Sequence, residues 1–212
     1  MYDSIILRDI IERLNLKDTI LFDKILQYIL DTEGREFSSK NIIQYINTEY
    51  KKISSETLYK YIDALTKAFI LRKVYRYDIH GKRILKTLNK FYVADLGIAQ
   101  IKNNNPNFNN YVVLENIVYN ELLFKGYKVY VGKTKKGEID FLTEKDGQKK
   151  YIQVAYKIEG DNFKKTSKRE FGAFDFVDDH SPKYVLSIDK TNLSQNGITH
   201  MNIIDFLINE DF

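Results

Sequence analysis

EIDFLTEKDGQKKYIQVAYKI, residues 138–158, decides how the second half of this chain is read. Asp146-Gly147 stands between two runs that alternate like strands, and that dipeptide is a strong signal for a two-residue hairpin turn. Counting outward from Lys145 opposite Gln148 sets Asp140 opposite Gln153, and Glu138 opposite Ala155. Directly opposed side chains share a sheet face, with Cβ atoms about 4.5–5.5 Å apart. Asp140 and Gln153 are therefore expected to converge with no assumption about long-range topology.

Working upstream, YKVYVG (127–132) predicts another strand, and YVVLENIVYNELLFKG (111–126) a helix that Gly126 closes. At 100° per residue Glu115 is flanked by Val112, Val118, Tyr119 and Leu122, so its carboxylate lies in an apolar stripe. Such a group must be paired, hydrogen-bonded or neutralised. Its place near the helix start also makes simple dipole stabilisation a sufficient account. A helix carboxylate with a strand Asp and a strand Glu or Gln is the oxygen-donor set of a hard divalent cation such as Mg²⁺, which can acidify a water and neutralise phosphodiester charge. Glu138 would stand near Asp140, as an added ligand or as a solvated strand-edge charge. Lys164, Lys165, Lys168 and Arg169 fall on a helix, as a solvated face or a phosphate contact. His200, in the alternating run ITHMNI, reads as structural.

The first half has a different period. Leu21, Ile25, Tyr28 and Ile29 predict a helix over about 18–32. Ser38 caps a second helix with Ile42, Ile43, Tyr45 and Ile46, and Ser54 caps a third with Leu58, Ile62, Leu65 and Phe69. LRKVYRYD and KRILKTL then alternate around His80-Gly81, and FYVAD reads as a further strand. Three helices followed by a hairpin outline a winged helix-turn-helix, in which the third helix enters the major groove and the wing touches the DNA backbone. Lys60 and Lys67 would flank the apolar face of that helix, with His80, Lys82 and Arg83 at the wing tip. The same fold also docks proteins, so DNA contact and protein docking both stay open.

Charge supports this division. The 212 residues carry a net +4, all of it in residues 1–100, and residues 51–90 hold 11 basic against three acidic side chains. A surplus of that kind is an electrostatic footprint for nucleic acid, or else a solvated face. A hydrophobic fraction of 43% with only two Pro argues against disorder. No run of about 18 apolar residues spans a bilayer, and MYDSIILRDI lacks the pattern of a secretory signal. With no Cys there is no disulfide, thiol chemistry or Cys-ligated zinc, and the three His are scattered, so a cytoplasmic setting is expected.

GEIDF (137–141), YIQVA (151–155) and the helix of Glu115 resemble the PD-(D/E)xK, or restriction-endonuclease-like, superfamily. The resemblance implies that Asp140 and Gln153 are metal ligands and that Glu115 is the helix acid. The Lys of its motif falls on Ala155, which implies lost activity. Lys157 lies one step further along the same face and is the alternative cation. More narrowly, RDIIERLNL, the winged-helix region ending FYVADLGIA, LENIVYNELLFKGYKVYVG, YIQVAY and GITHMNIIDFL resemble the C-terminal part of a large prokaryotic family of AAA-type ATPases. That resemblance implies a winged helix followed by a nuclease-like domain, working with an ATPase domain in cis or in trans.

The expectation is an α/β (α+β) chain with a winged helix-turn-helix domain at 1–102 and a PD-(D/E)xK nuclease-like domain at 103–212. The low-apolar stretch NNNPNFNN (103–110) is the linker. No GxxxxGK[ST] phosphate loop occurs, because Tyr127 stands where the first Gly of Gly132-Lys133-Thr134 would be; ATP binding is not expected of this chain. The start at MYDSIIL suggests a piece of a longer ATPase. The functional expectation is a non-catalytic or degenerate-nuclease module. The alternatives are an active Mg²⁺-dependent DNA nuclease using Glu115, Asp140 and Gln153, and a protein-interaction adaptor.

Overall fold

The structure is a computed structural model that describes residues 12, 18–32, 34–102, 110–210 and 212. The segment RDIIERLNL and most of the 103–110 stretch lie outside the described residues, except Glu12 and Asn110. The contacts divide the chain into two compact units, 1–73 with 90–106, and 74–89 with 107–212.

In the first unit, α1 (Thr19–Asp31), α2 (Ser39–Glu49) and α3 (Ser55–Lys67) begin where capping side chains are placed. Asp18 Oδ1 accepts from the Leu21 amide at 2.8 Å, Ser38 Oγ from Asn41 at 3.3 Å and Ser54 Oγ from Thr57 at 3.1 Å. Each bond satisfies a donor that the first helical turn leaves orphaned, and is worth about 1 kcal/mol. The buried faces follow the 3.6-residue period: Leu21, Phe22, Ile25, Leu26 and Ile29 on α1, Ile42 and Ile46 on α2, and Leu58, Ile62 and Leu65 on α3. Ile43 and Tyr45 are only half-buried, and Phe69 is 77% exposed in a left-handed conformation past the end of α3. A short helix, α4 (Leu96–Lys102), closes the unit.

The hairpin departs from the sequence reading twice. Strand β1 spans Leu71–Asp78, but β2 runs unbroken over Arg83–Val93, so FYV continues the second strand. A positive φ at Leu88 lets the strand bend without ending. Nor is the tip a free wing. Residues 74–89 belong to the second unit, because β1 pairs in parallel with β3 (Lys128–Lys133) through Arg76↔Val131, Tyr77↔Gly132 and Asp78↔Lys133. The expected boundary at 102/103 kept the whole hairpin with the helices; a parallel partner more than 50 residues away leaves no trace in local periodicity.

The second unit is built on a mixed sheet, in the strand order β2-β1-β3-β4-β5-β6-β7. Helix α5 (Asn110–Phe124) leads into β3; β4 (Glu138–Lys145) and β5 (Gln148–Val154) are antiparallel neighbours. Helix α6 (Phe163–Gly172) and the 3-10 turn Ala173–Phe176 carry the chain to β6 (Lys183–Ser187), which is parallel to β5. Strand β7 (Thr199–Asn202) adds in parallel, and α7 (Ile203–Ile208) follows. Asp146 and Gly147 both take positive φ, 51° and 75°, as a type I′ turn requires. The β4–β5 ladder keeps the expected register from Lys145↔Gln148 to Phe141↔Ile152. Gly132 sits at a bulge against β4; a Cβ there would lie 3.0 Å from Ile79 Cδ1 and 3.2 Å from Ile139 Cβ. Ile139, Leu142, Tyr151, Ala155, Phe171, Phe174 and Val185 form one buried cluster under α6.

Candidate functional site

The ladder stops one pair short of Asp140 and Gln153, and side chains take over from it. The Asp140 amide donates to Gln153 Oε1 at 3.2 Å, and the Val154 amide donates to Asp140 Oδ2 at 2.8 Å. This interlock extends the β4–β5 contact past its last ladder pair, along the part of β5 that pairs with β6 on its other edge. The Tyr111 hydroxyl donates to Asp140, 3.2 Å from both carboxylate oxygens. Gln153 Nε2 reaches Glu170 Oε2 at 3.1 Å, and Glu170 Oε1 takes Arg169 through Nε at 2.7 Å and Nη2 at 2.5 Å. The chain of contacts runs Tyr111–Asp140–Gln153–Glu170–Arg169, across α5, β4, β5 and α6.

All its carboxyl and amide members are buried: Asp140 at 5% exposure, Gln153 at 8% and Glu170 at 1%, with Glu115 at 1% beside them. The Tyr111 phenol is pushed well above the usual tyrosine range, first by burial, then by the charges of Asp140, Glu115 and Glu170. Three carboxylates thus surround one hydroxyl. The Arg169 guanidinium is held charged above its ordinary value, chiefly by its bond to Glu170, with Asp140 contributing at longer range.

Glu115 and Asp140 both act on the Tyr111 phenol, and Asp140 is hydrogen-bonded to Gln153. Lys157 does not join them. Strand β5 ends at Val154, so the two-residue alternation stops and Lys157 is exposed in the loop before α6. Ala155, at the motif's Lys position, is 1% exposed in the apolar cluster, and its amide is spent on the Leu186 carbonyl at 2.8 Å. Glu138 is opposite Lys133 on β3 and pairs with the buried Arg76 at 3.1 Å, so it is neither a neighbour of Ala155 in the ladder nor a solvated charge.

Two members escaped the sequence reading. Tyr111 lies four residues before Glu115, one turn up the same helix face, and that spacing could have flagged it. Glu170 was hidden among basic neighbours, yet Ser167, Glu170, Phe171 and Phe174 recur at helical spacing, which marks a carboxylate on the buried stripe.

A divalent cation of the Mg²⁺ type needs near-octahedral oxygen donors at about 2.0–2.1 Å. Here Asp140 is taken by an amide and a phenol, the Gln153 carbonyl oxygen by an amide, and Glu170 by a guanidinium. Among the described residues no group of three or more His, Cys, Asp or Glu side chains is arranged to hold a metal ion. The donor set as placed does not fit the cation.

A second buried polar cluster joins Ser187, Asp189 and His200. Ser187 Oγ donates to Asp189 Oδ2 at 2.7 Å and lies 2.9 Å from His200 Nε2, while His200 Nδ1 accepts from the Leu193 amide at 3.4 Å. Asp189 is further tied to the amides of Ile158, at 2.6 Å, and Glu159, at 3.3 Å. Ser187 is fully buried and stands between the other two, so the trio is a strut beneath the β6–β7 edge. Burial lowers the imidazole below its ordinary value.

The DNA-contact residues of the sequence reading fall in different units. Lys60 and Lys67 are exposed on α3, with Lys67 2.7 Å from Asp63 in an exposed pair. His80, Lys82 and Arg83 are exposed in the β1–β2 turn, where Gly81 donates to Asp78 Oδ1 at 3.0 Å. No helix of the described residues is long and apolar enough to cross a membrane.

The fold and its polar network define an α+β protein with a mixed sheet and a buried acid–amide–phenol centre. Residues 1–107 match the family described as Domain of unknown function (DUF8612), half of this chain, and the protein belongs to that family. A Haemophilus influenzae protein, described as an uncharacterized protein, is 38% identical over 160 residues. That match covers 74% of this chain and 40% of the relative, so the chain spans well under half of the relative's length. No solved structure matches.

Proposed function

We propose that this chain is a non-catalytic module that engages DNA through exposed basic side chains of its winged-helix region and carries a nuclease-like domain as scaffold, working with an ATPase domain in cis or in trans. The observation that carries the non-catalytic reading is the closed network itself. Every atom that would bind a metal or a water in a PD-(D/E)xK centre and that belongs to Asp140 or Gln153 has a protein partner. The order α5-β3-β4-β5-α6-β6, with an antiparallel β3-β4-β5 meander and β6 parallel to β5, supports the endonuclease-like resemblance. The relative's length supports a longer parent architecture, since most of it lies outside the matched segment.

For DNA, the support is the exposure of Lys60, Lys67, His80, Lys82 and Arg83 within the basic stretch 51–90, whose +8 excess also counts the buried Arg76 and Lys90. Fluorescence anisotropy on a short duplex tests it. Affinity should fall steeply with salt, with a log–log slope near −0.9 per phosphate contact, and Lys82→Ala with Arg83→Ala should weaken binding equally across sequences. Binding that ignores salt, or none at all, removes DNA from the account. A second reading, a protein-docking adaptor, is favoured by the exposed Ile20, Tyr59 and Phe69 in the first unit; a partner captured by the wild type and lost on charge reversal at Lys60 and Lys67 would support it. An active nuclease would instead cut plasmid in Mg²⁺ or Mn²⁺ and lose that activity in Asp140→Ala.

A further inference from the structure

Beside α6, within the second unit, a cleft of about 780 Å³ opens between the β3–β4 turn, α6, the 3-10 turn, β6 and residues 195–198. Its size suits one small ligand, for which pockets run from about 300 to 1,000 Å³. Its lining is of three kinds.

The floor is apolar: Phe171, Phe174, Val177 and Ile198 are all buried. The rim is cationic. Lys136 comes from the β3–β4 turn, Lys168 from α6 and Lys183 from β6. Lys136 Nζ lies 5.1 Å from the centre of the Phe176 ring, and Lys183 Nζ donates to the Asp179 carbonyl oxygen at 2.8 Å, with the Asp179 carboxylate also feeling its charge. The acids in the lining do not cancel them. Glu138 is tied to Arg76 and Arg169 is matched by Glu170, which leaves Asp175 in the lining, and Asp179 beside Lys183, against three lysines. Finally, two amide side chains, Gln195 and Asn196, stand at one edge, with Gln195 Nε2 donating to Ser167 Oγ at 2.9 Å.

We propose that this cleft binds a nucleoside phosphate, either free or as the phosphorylated end of a nucleic-acid strand. The floor takes the flat apolar faces of the base, the amides take its donor and acceptor edge, and the lysines take the phosphate. A simple anion has no use for the buried phenylalanines, and a fatty acid has no use for three separated cations. The inference stands whether or not the first unit touches DNA, so its test is independent of that reading.

Isothermal titration calorimetry on the full chain, with AMP, GMP, CMP and UMP against the four unphosphorylated nucleosides and inorganic phosphate, decides the matter. At least one nucleotide should bind saturably, roughly tenfold tighter than both its own nucleoside and inorganic phosphate. Lys168→Glu and Lys183→Glu should each weaken it by roughly tenfold, while Lys164→Glu and Lys165→Glu, outside the cleft, should leave it unchanged at the same melting temperature. Displacement by a short 5′-phosphorylated oligonucleotide assigns the site to a strand end, and failure to displace assigns it to free nucleotides; both uphold the chemistry. No saturable binding up to about 5 mM, phosphate binding as tightly as any nucleotide, or equal losses in the Lys164 and Lys165 variants would overturn it.

Discussion

Replacing Asp140 by Ala removes a carboxylate that serves a buried donor, the Val154 amide at 2.8 Å, and a half-buried one, the Tyr111 hydroxyl at 3.2 Å. A buried donor stripped of its acceptor costs about 1–3 kcal/mol and the half-buried Tyr111 hydroxyl, which water can reach, about 1, so the two together should lower stability by roughly 2–4 kcal/mol. That is a large share of the ~5–15 kcal/mol typical of a folded domain. In a chain of this size it should depress the melting temperature by about 4–16 °C. Asp140→Asn is the isosteric control. Its carbonyl oxygen still accepts from Val154 and its NH₂ can donate to the Tyr111 oxygen once the phenol turns, so the loss should be only about 1 kcal/mol. Guanidinium titration followed by circular dichroism measures both. The opposite result is physically well defined. Asp140 sits among Glu115 and Glu170, and an acid cluster kept for function at the expense of stability is relieved when one charge is removed. An Asp140→Ala protein as stable as the wild type, or more so, would refute the structural role argued for this network.

Arg169→Ala should destabilise by roughly 1–3 kcal/mol, the figure being held down because the guanidinium is largely exposed, whereas Lys168→Ala should be neutral within about 0.5 kcal/mol; equal effects in a denaturant titration would contradict the bidentate bond to Glu170. At the β4–β5 turn, Gly147→Ala must hold a side chain at a φ of 75°, and a loss of about 1 kcal/mol is expected, while unchanged stability would argue against the type I′ geometry. His200 is held neutral in the fold below its ordinary value of 6.5, so as pH falls the unfolded chain takes up the proton first. Stability should therefore be full above that value and decline as the pH drops through it, and His200→Gln should flatten the decline; a decline of the same size in the variant would place its cause elsewhere.

What could be read in the amino acids was mostly local. Ser38 and Ser54 announce the starts of α2 and α3 because a hydroxyl at that position satisfies an orphan amide, and the bonds are present. Asp146-Gly147 announces the turn because few other dipeptides accept two positive φ values, and the register from Lys145 to Phe141 follows from it. The register lapses where local logic does: at Asp140 the strand splays and the side chain replaces the ladder. Lys157 was misplaced for the same reason, since its face depended on β5 running on past Val154. Long-range contacts were beyond reach. The parallel pairing of β1 with β3 and the approach of Glu170 to Gln153 depend on crossovers that no window of periodicity contains. Helical periodicity did warn of a buried Glu115 needing a partner, but Tyr111 and Glu170, which share its neighbourhood, went unread.

Crystals soaked in Mn²⁺ and measured at the manganese absorption edge put the central claim to its most direct trial. Four-way engagement of Tyr111, Val154, Gln153 and Arg169 with the acid centre leads to an anomalous map with no peak near Asp140. A peak bridging Asp140 and Glu115, with the Tyr111 hydroxyl displaced from the carboxylate, would mean that the nuclease-like centre still binds its metal.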